Sequence, residues 1–116
     1  MKKTKMLKKN YEFRNVLKNG KCYYAKYIQA YILKNDYNGI LLGLAVGTKI
    51  GKAYQRNKIK RLIRESYKLI ENNIEDGYSV VFLVNKRNFN YKELNFSDIK
   101  KDMVSILKNS KLMVWK

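Results

Sequence analysis

The chain contains no histidine, no proline, one cysteine and only nine acidic residues among 116. Each shortage removes a class of chemistry. With Cys22 alone and no histidine, a structural zinc site is not expected, nor a Ser-His or Cys-His nucleophilic pair. A lone cysteine also excludes an intramolecular disulfide and fits a reducing compartment, so a cytoplasmic location is expected. The acids show no paired spacing of the kind that holds a metal or a general acid and base. The longest apolar run, Ile40 to Val46, is far too short to cross a bilayer. No apolar stretch follows Met1-Lys2-Lys3, so no secretory signal is expected either. Gly47 and Gly51 lack the Gly-Lys-Ser/Thr ending of a phosphate loop, which argues against nucleotide binding.

Positive charge is what the chain has in excess. Lysine and arginine number 26, for a net charge of +17. The charge recurs at Lys2 to Lys9, Lys18 to Lys26, Lys49 to Lys68, Lys86 to Lys92 and Lys100 to Lys116, so it belongs to the body and not to one tail. Such an imbalance repels itself and draws polyanions. The densest segment is Arg56-Asn57-Lys58-Ile59-Lys60-Arg61-Leu62-Ile63-Arg64-Glu65. Wound as a helix, it stacks Arg56, Lys60 and Arg64 along one line, with Asn57, Arg61 and Lys68 beside them. Ile59, Leu62, Ile63, Ser66, Leu69 and Ile70 are expected on the opposite, buried side. Like charges at i,i+4 cost such a helix about 0.2–0.5 kcal/mol per pair. A phosphate backbone against that face relieves the cost.

The length suits one domain, 1–116, with residues 1–9 as a mobile basic lead-in. Asn10 is expected to cap a short helix with Phe13, Val16 and Leu17 on one face, ended by Asn19-Gly20. Cys22 to Leu33 reads as a strand or a bent pair of strands. Asn35 to Gly39 is a turn, and Ile40 to Val46 a central strand covered on both faces. A glycine-punctuated loop, Gly47 to Lys52, leads into the basic helix, placed at about 53–72. Then come a turn at Glu75-Asp76-Gly77, a strand at Tyr78 to Val84, a polar loop at Asn85 to Asn95 and a helix at Ser97 to Lys108. This order predicts an α+β domain with helices against one sheet. The strands flanking the basic helix are candidates for parallel neighbours joined by a crossover.

Gly43-Leu44-Ala45-Val46, Lys49-Ile50-Gly51, Ala53 and Arg56-Asn57-x-x-Lys60-Arg61-x-x-Arg64-Glu65 together resemble the protein subunit of bacterial ribonuclease P. The likeness extends from the lysine-rich start through Phe13, Gly20, the Tyr31 strand and the Gly77 to Val84 strand to a basic C-terminal helix. It implies an α-β-β-β-α-β-α sandwich similar to the second domain of a small-subunit ribosomal protein. It also implies a left-handed crossover around the basic helix, where about 98% of such connections are right-handed.

The resemblance further implies a large catalytic RNA as partner, precursor tRNA as substrate, and removal of the 5′ leader. Magnesium is held mainly by the RNA, no protein partner is required, and no catalytic residue is expected in this chain. Arg56, Asn57, Lys58, Lys60, Arg61, Arg64 and Lys68 are then expected to face the catalytic RNA. Lys58 stands where relatives more often have arginine, exchanging a planar fork for a point charge. Phe13, Leu17, Tyr31 and Lys49 are expected at the leader-binding cleft, where rings stack on unpaired bases at about 1–3 kcal/mol each. Ala45 and Gly47 replace small hydroxyl residues, and Tyr54-Gln55 an apolar pair.

Without the resemblance, Phe13 and Tyr31 read more simply as core, and most of the ten tyrosines as ordinary sheet residues. Tyr23, Tyr24 and Tyr27 stand out because they lie among Lys21 and Lys26. A ribosomal or ribosome-assembly protein is the alternative that size and charge permit. A stand-alone protein nuclease is disfavoured by the absence of histidine and of clustered acids.

Overall fold

The computed structural model describes residues 4–84 and 94–112. Its strands are β1 (Thr4–Met6), β2 (Lys21–Tyr24), β3 (Gln29–Lys34), β4 (Ile40–Val46) and β5 (Tyr78–Val84). Its helices are α1 (Asn10–Asn19), α2 (Ala53–Ile70) and α3 (Phe96–Asn109). The strands form one mixed sheet in the order β1-β4-β5-β3-β2. β4 and β5, the two apolar runs, are parallel neighbours joined through α2, as their flanking of the basic helix predicts. β2 and β3 are the bent pair expected within Cys22 to Leu33, antiparallel with Cys22 opposite Tyr31 and Tyr24 opposite Gln29.

Alternation along the strands divides the core in two. Ala30, Ile32, Ile40, Leu42, Val80, Phe82 and Val84 point to one face, where α2 and α3 bury Ile59, Ile63, Ile70, Ile99, Met103 and Ile106 against them. Each such side chain contributes about 1.5–3 kcal/mol by leaving water. The other face carries a smaller cluster, Leu7, Val16 and Val81, with Phe13, Tyr31, Leu33 and Leu41 packed around it under α1. The helices therefore sandwich the sheet. Leu44, Ala45 and Val46 at the end of β4 stay half-exposed: Ala45 lies on the face that the short α1 covers only in part, and Leu44 and Val46 lie at the edge of the α2–α3 core. The expectation of a strand covered along its whole length holds only for its first half.

Several local expectations are corrected. Part of the lead-in is not a mobile arm: Thr4–Met6 pairs in parallel with Ile40–Leu42, and the Thr4 hydroxyl lies 2.5 Å from that of Tyr67 on α2. Asn10 is the first residue of α1 and does not cap it; Lys9 holds the cap position without a side-chain hydrogen bond. Gly20 ends α1 in extended conformation, not left-handed. It is small because a Cβ there would lie 2.5 Å from the Val16 carbonyl oxygen. Gly77 does need positive φ, at 92°. Its N–H donates to Gly39 and its carbonyl accepts from Asn35, tying the β3–β4 turn to the start of β5.

The last helix begins earlier than expected, at Phe96. Asn95 caps it by accepting from the Asp98 N–H at 3.0 Å while Asp98 accepts from the Asn95 N–H. Of the polar loop expected at Asn85 to Asn95, residues 85–93 lie outside the described residues.

Candidate nucleic-acid interface

The basic helix is built from its N-terminus. The Lys52 N–H donates to Gln55 Oε1 at 2.8 Å, satisfying one of the donors that a helix start leaves open. The amide fits because Gly51 has no Cβ; one there would lie 2.2 Å from Gln55 Oε1. The departure at Gln55 thus has a structural reason: it caps α2. No acid sits in the first turn, so the positive end of the helix dipole adds to the side-chain cations.

Along α2, Asn57, Lys58, Arg61, Arg64 and Lys68 are exposed, while Arg56 and Lys60 are half-buried at the edge of the packed face. Arg56 Nη1 donates to the Gly51 carbonyl at 2.8 Å. One of its five donors therefore holds the loop before α2, and the rest remain for an anion. Arg61 lies 3.8 Å from Glu65. This exposed pair is worth at most about 1 kcal/mol. Leu69, expected inside, is 62% exposed, whereas Tyr67 is buried at 1%. At 100° per residue both lie about a quarter turn from the centre of the Ile59–Leu62–Ile63–Ser66–Ile70 stripe, on opposite edges, and Tyr67 is on the edge that meets Thr4 of β1. Burial also pushes the Tyr67 phenol well above its ordinary pKa.

The second surface is on the opposite face of the sheet. Phe13 lies over Gly43: a Cβ at Gly43 would meet the ring at 2.6 Å. The strand registers set Cys22, Tyr31, Val81 and Gly43 in one row across β2, β3, β5 and β4. Phe13 covers part of this row. The next row on the same face, Tyr24, Gln29, Leu83 and Ala45, extends past α1 and none of its members is fully buried. Leu17, 37% exposed, stands one turn after Phe13 on the same flank. Phe13 and Tyr31 thus pack around the same small cluster of Leu7, Val16 and Val81, whereas Leu17 is exposed on α1.

Lys49 is separate. It is exposed on the Thr48–Ile50 turn between β4 and α2, at the end of the sheet where the two surfaces approach each other. A hollow of about 370 Å³ also lies beside α1, but its lining includes Tyr11, Glu12, Leu33, Asp36 and Leu41, at the starts of β4 and β5. Its two acids make it a poor place for a phosphate chain.

Sequence reading singled out Tyr24 but missed Gln29 and the row that the two share. Of the three tyrosines singled out there, Tyr23 and Tyr27 pack against the main core, with Lys21 and Lys26 over their rings at 5.5 and 5.2 Å. Only Tyr24, 64% exposed, shares the cleft face. Hydrogen bonding with Cys22 pushes the phenol pKa of Tyr24 up, and that of Tyr31 with burial added. Alternation across a hairpin of known register is the signal that finds Tyr24, and register depends on where the turn falls.

A cationic helix on one face of a mixed sheet and an aromatic cleft on the other define a small basic α+β domain of the nucleic-acid-binding class. Residues 1–111 match the ribonuclease P family model, and the chain belongs to that family. It is 39% identical over 113 residues to the ribonuclease P protein component of Clostridioides difficile, covering 97% of this chain and 96% of that one. It is 38% identical over 107 residues to that of Natranaerobius thermophilus, covering 92% and 90%. The fold is similar to the RNase P protein of Staphylococcus aureus, with a TM-score of 0.81 at 28% identity over 93% of this chain and 96% of that one. The Thermotoga maritima RNase P protein gives 0.81 at 27% identity over 90% and 96%.

Proposed function

We propose that this chain is the protein subunit of the ribonuclease P ribonucleoprotein, which removes the 5′ leader from precursor tRNA. Family membership over residues 1–111 is the observation that carries this reading. The subunit is an accessory to an RNA-based endoribonuclease: it supplies binding and orientation, and the RNA supplies the chemistry. The composition supports that division, because a chain without histidine offers few general acids or bases.

The surfaces support a division of labour between two RNA segments. Asn57, Lys58, Arg61, Arg64 and Lys68, with the free donors of Arg56 and Lys60, engage phosphates of the catalytic RNA. Arginine forks take two phosphate oxygens at once, and lysines add point charge. The cleft of Phe13, Leu17 and Tyr31, continued by Tyr24 and Gln29, receives the unpaired leader by stacking. Lys49, between the surfaces, suits a phosphate near their junction. Magnesium is the ion of the family's reaction. Among the described residues no three acidic or cysteine side chains converge, so the donor set does not fit a protein-held ion, and the RNA is the natural ligand. A cytoplasmic location accords with a reduced Cys22. Precursor tRNA and the catalytic RNA are the partners, and the reading requires no protein partner.

The test is cleavage of a precursor tRNA by the cognate catalytic RNA at low millimolar magnesium, with and without this protein. Cleavage at the mature 5′ end that depends on the protein is the expected result. An RNA active alone at high magnesium and indifferent to the protein at low magnesium sinks the proposal.

A further inference from the structure

On the outward side of α3, Lys100, Lys101 and Lys108 line a groove of about 580 Å³ together with Ser97, Ser105 and Asn109, and Val104 contributes an apolar wall. No acid lines it. The two acids of α3 are turned to structural work. Asp98 closes the cap with Asn95. Asp102, buried, accepts from the backbone N–H groups of Tyr27 and Ile28 at 2.6 and 3.3 Å, holding the β2–β3 connection. Neither acid of α3 is therefore left to face the adjacent Lys100 and Lys101 on its outward side. Hydroxyl and amide groups beside them offer neutral donors for phosphate and ribose oxygens, and Val104 offers a surface for the sugar. That is the chemistry of a sugar-phosphate backbone.

α3 packs against α2 on the same face of the sheet. Packed helices lie about 8–10 Å apart, and both helices lie across the sheet from Phe13 and Tyr31. We infer that the α3 groove is a second backbone-binding surface for the catalytic RNA, continuous with the α2 face. This rests on the reading of the chain as an RNA-binding subunit. One RNA laid across both helices explains why α3 keeps lysines on its outer side while both of its acids are committed elsewhere.

The experiment measures binding of the full protein to the catalytic RNA between 50 and 200 mM salt, comparing wild type with Lys100→Gln/Lys101→Gln. Each phosphate contact adds about 0.7–0.9 to the slope of log affinity against log salt. Losing two contacts makes the slope shallower by about 1.5, so the wild-type advantage shrinks about eightfold across that range. Lys100→Arg/Lys101→Arg keeps the wild-type slope. Binding of precursor tRNA to the assembled holoenzyme stays unchanged. An unchanged slope for the glutamine variant, with an unaltered melting temperature, overturns the inference: the lysines are then merely solvated. A loss confined to precursor tRNA binding overturns it too, because the occupant is then the substrate. Arg61→Gln/Arg64→Gln serves as control. If that variant also leaves RNA binding intact, the RNA-binding reading itself has failed, not the α3 groove alone.

Discussion

Gly43 shows how one absent methyl group shapes a cleft. Its hydrogen lets the Phe13 ring approach β4 closely, and an alanine Cβ would meet that ring at 2.6 Å and Leu7 at 3.1 Å. Gly43→Ala should cost about 1–3 kcal/mol through overpacking, read as a lower melting temperature, and should weaken leader binding as Phe13 is displaced. Ser66 makes the opposite case. It is fully buried, and its hydroxyl finds no hydrogen-bond partner among the described residues. Ser66→Ala is expected to be neutral or to stabilise by about 1 kcal/mol in denaturant titration, since it removes an unpaired polar atom. Tyr67 predicts a pH dependence. Its raised pKa means that the folded state keeps the phenol proton where the unfolded chain, at the ordinary value of 10.0, gives it up. The stabilisation is therefore complete below pH 10 and is lost as pH rises above it, by about 1.4 kcal/mol per unit. Tyr67→Phe loses the contact with Thr4 and should be about 1 kcal/mol less stable near pH 8. That gap should close, then reverse, in alkaline melts.

Among the elements, α2 carries the sharpest conflict between local and global preference. Its cations repel, its first turn holds no acid, and its start is held by Gln55. Gln55→Ala should lower stability by about 1 kcal/mol, the usual worth of a cap, and should loosen the Gly51 loop to which Arg56 also bonds. Thermal melting gives the first effect, and RNA affinity beyond that of the melting change gives the second. The periodicity of Ile59, Leu62, Ile63 and Ser66 made both the helix and its buried side legible from sequence. Placing Leu69 inside was an edge error, since Leu69 and the buried Tyr67 both lie about a quarter turn from the stripe's centre. β1 was not legible at all. Three residues with two lysines nearby carry no strand pattern, and only the exposed edge of β4 gives them a partner.

For the whole molecule, charge governs both stability and partnership. At +17 the folded state repels itself, so anions bound at the cationic surfaces should raise the melting temperature by mass action. Millimolar sulfate or pyrophosphate should therefore shift the melt upward, and an unchanged midpoint counts against specific anion sites. If about six phosphates are neutralised in the complex, raising salt from 50 to 200 mM should cost on the order of a thousandfold in RNA affinity.

The sequence alone determined the chemistry. Its charge and the spacing of Arg56, Asn57, Lys60, Arg61 and Arg64 point to a polyanion, and its missing histidines remove His-based nucleophilic pairs, because composition and helical period are local properties of the chain. The same holds for β4, β5 and α2, whose patterns are long and regular. Only the tertiary structure decided which residues share the second surface. Phe13 approaches β4 closely because Gly43 has no Cβ, Phe13 and Tyr31 pack around the same cluster, and Tyr24 and Gln29 share that face through the register of β2 on β3 and β3 on β5. Strand order and register depend on contacts between residues far apart in the chain, and a shift of one residue would send every one of these side chains to the opposite face.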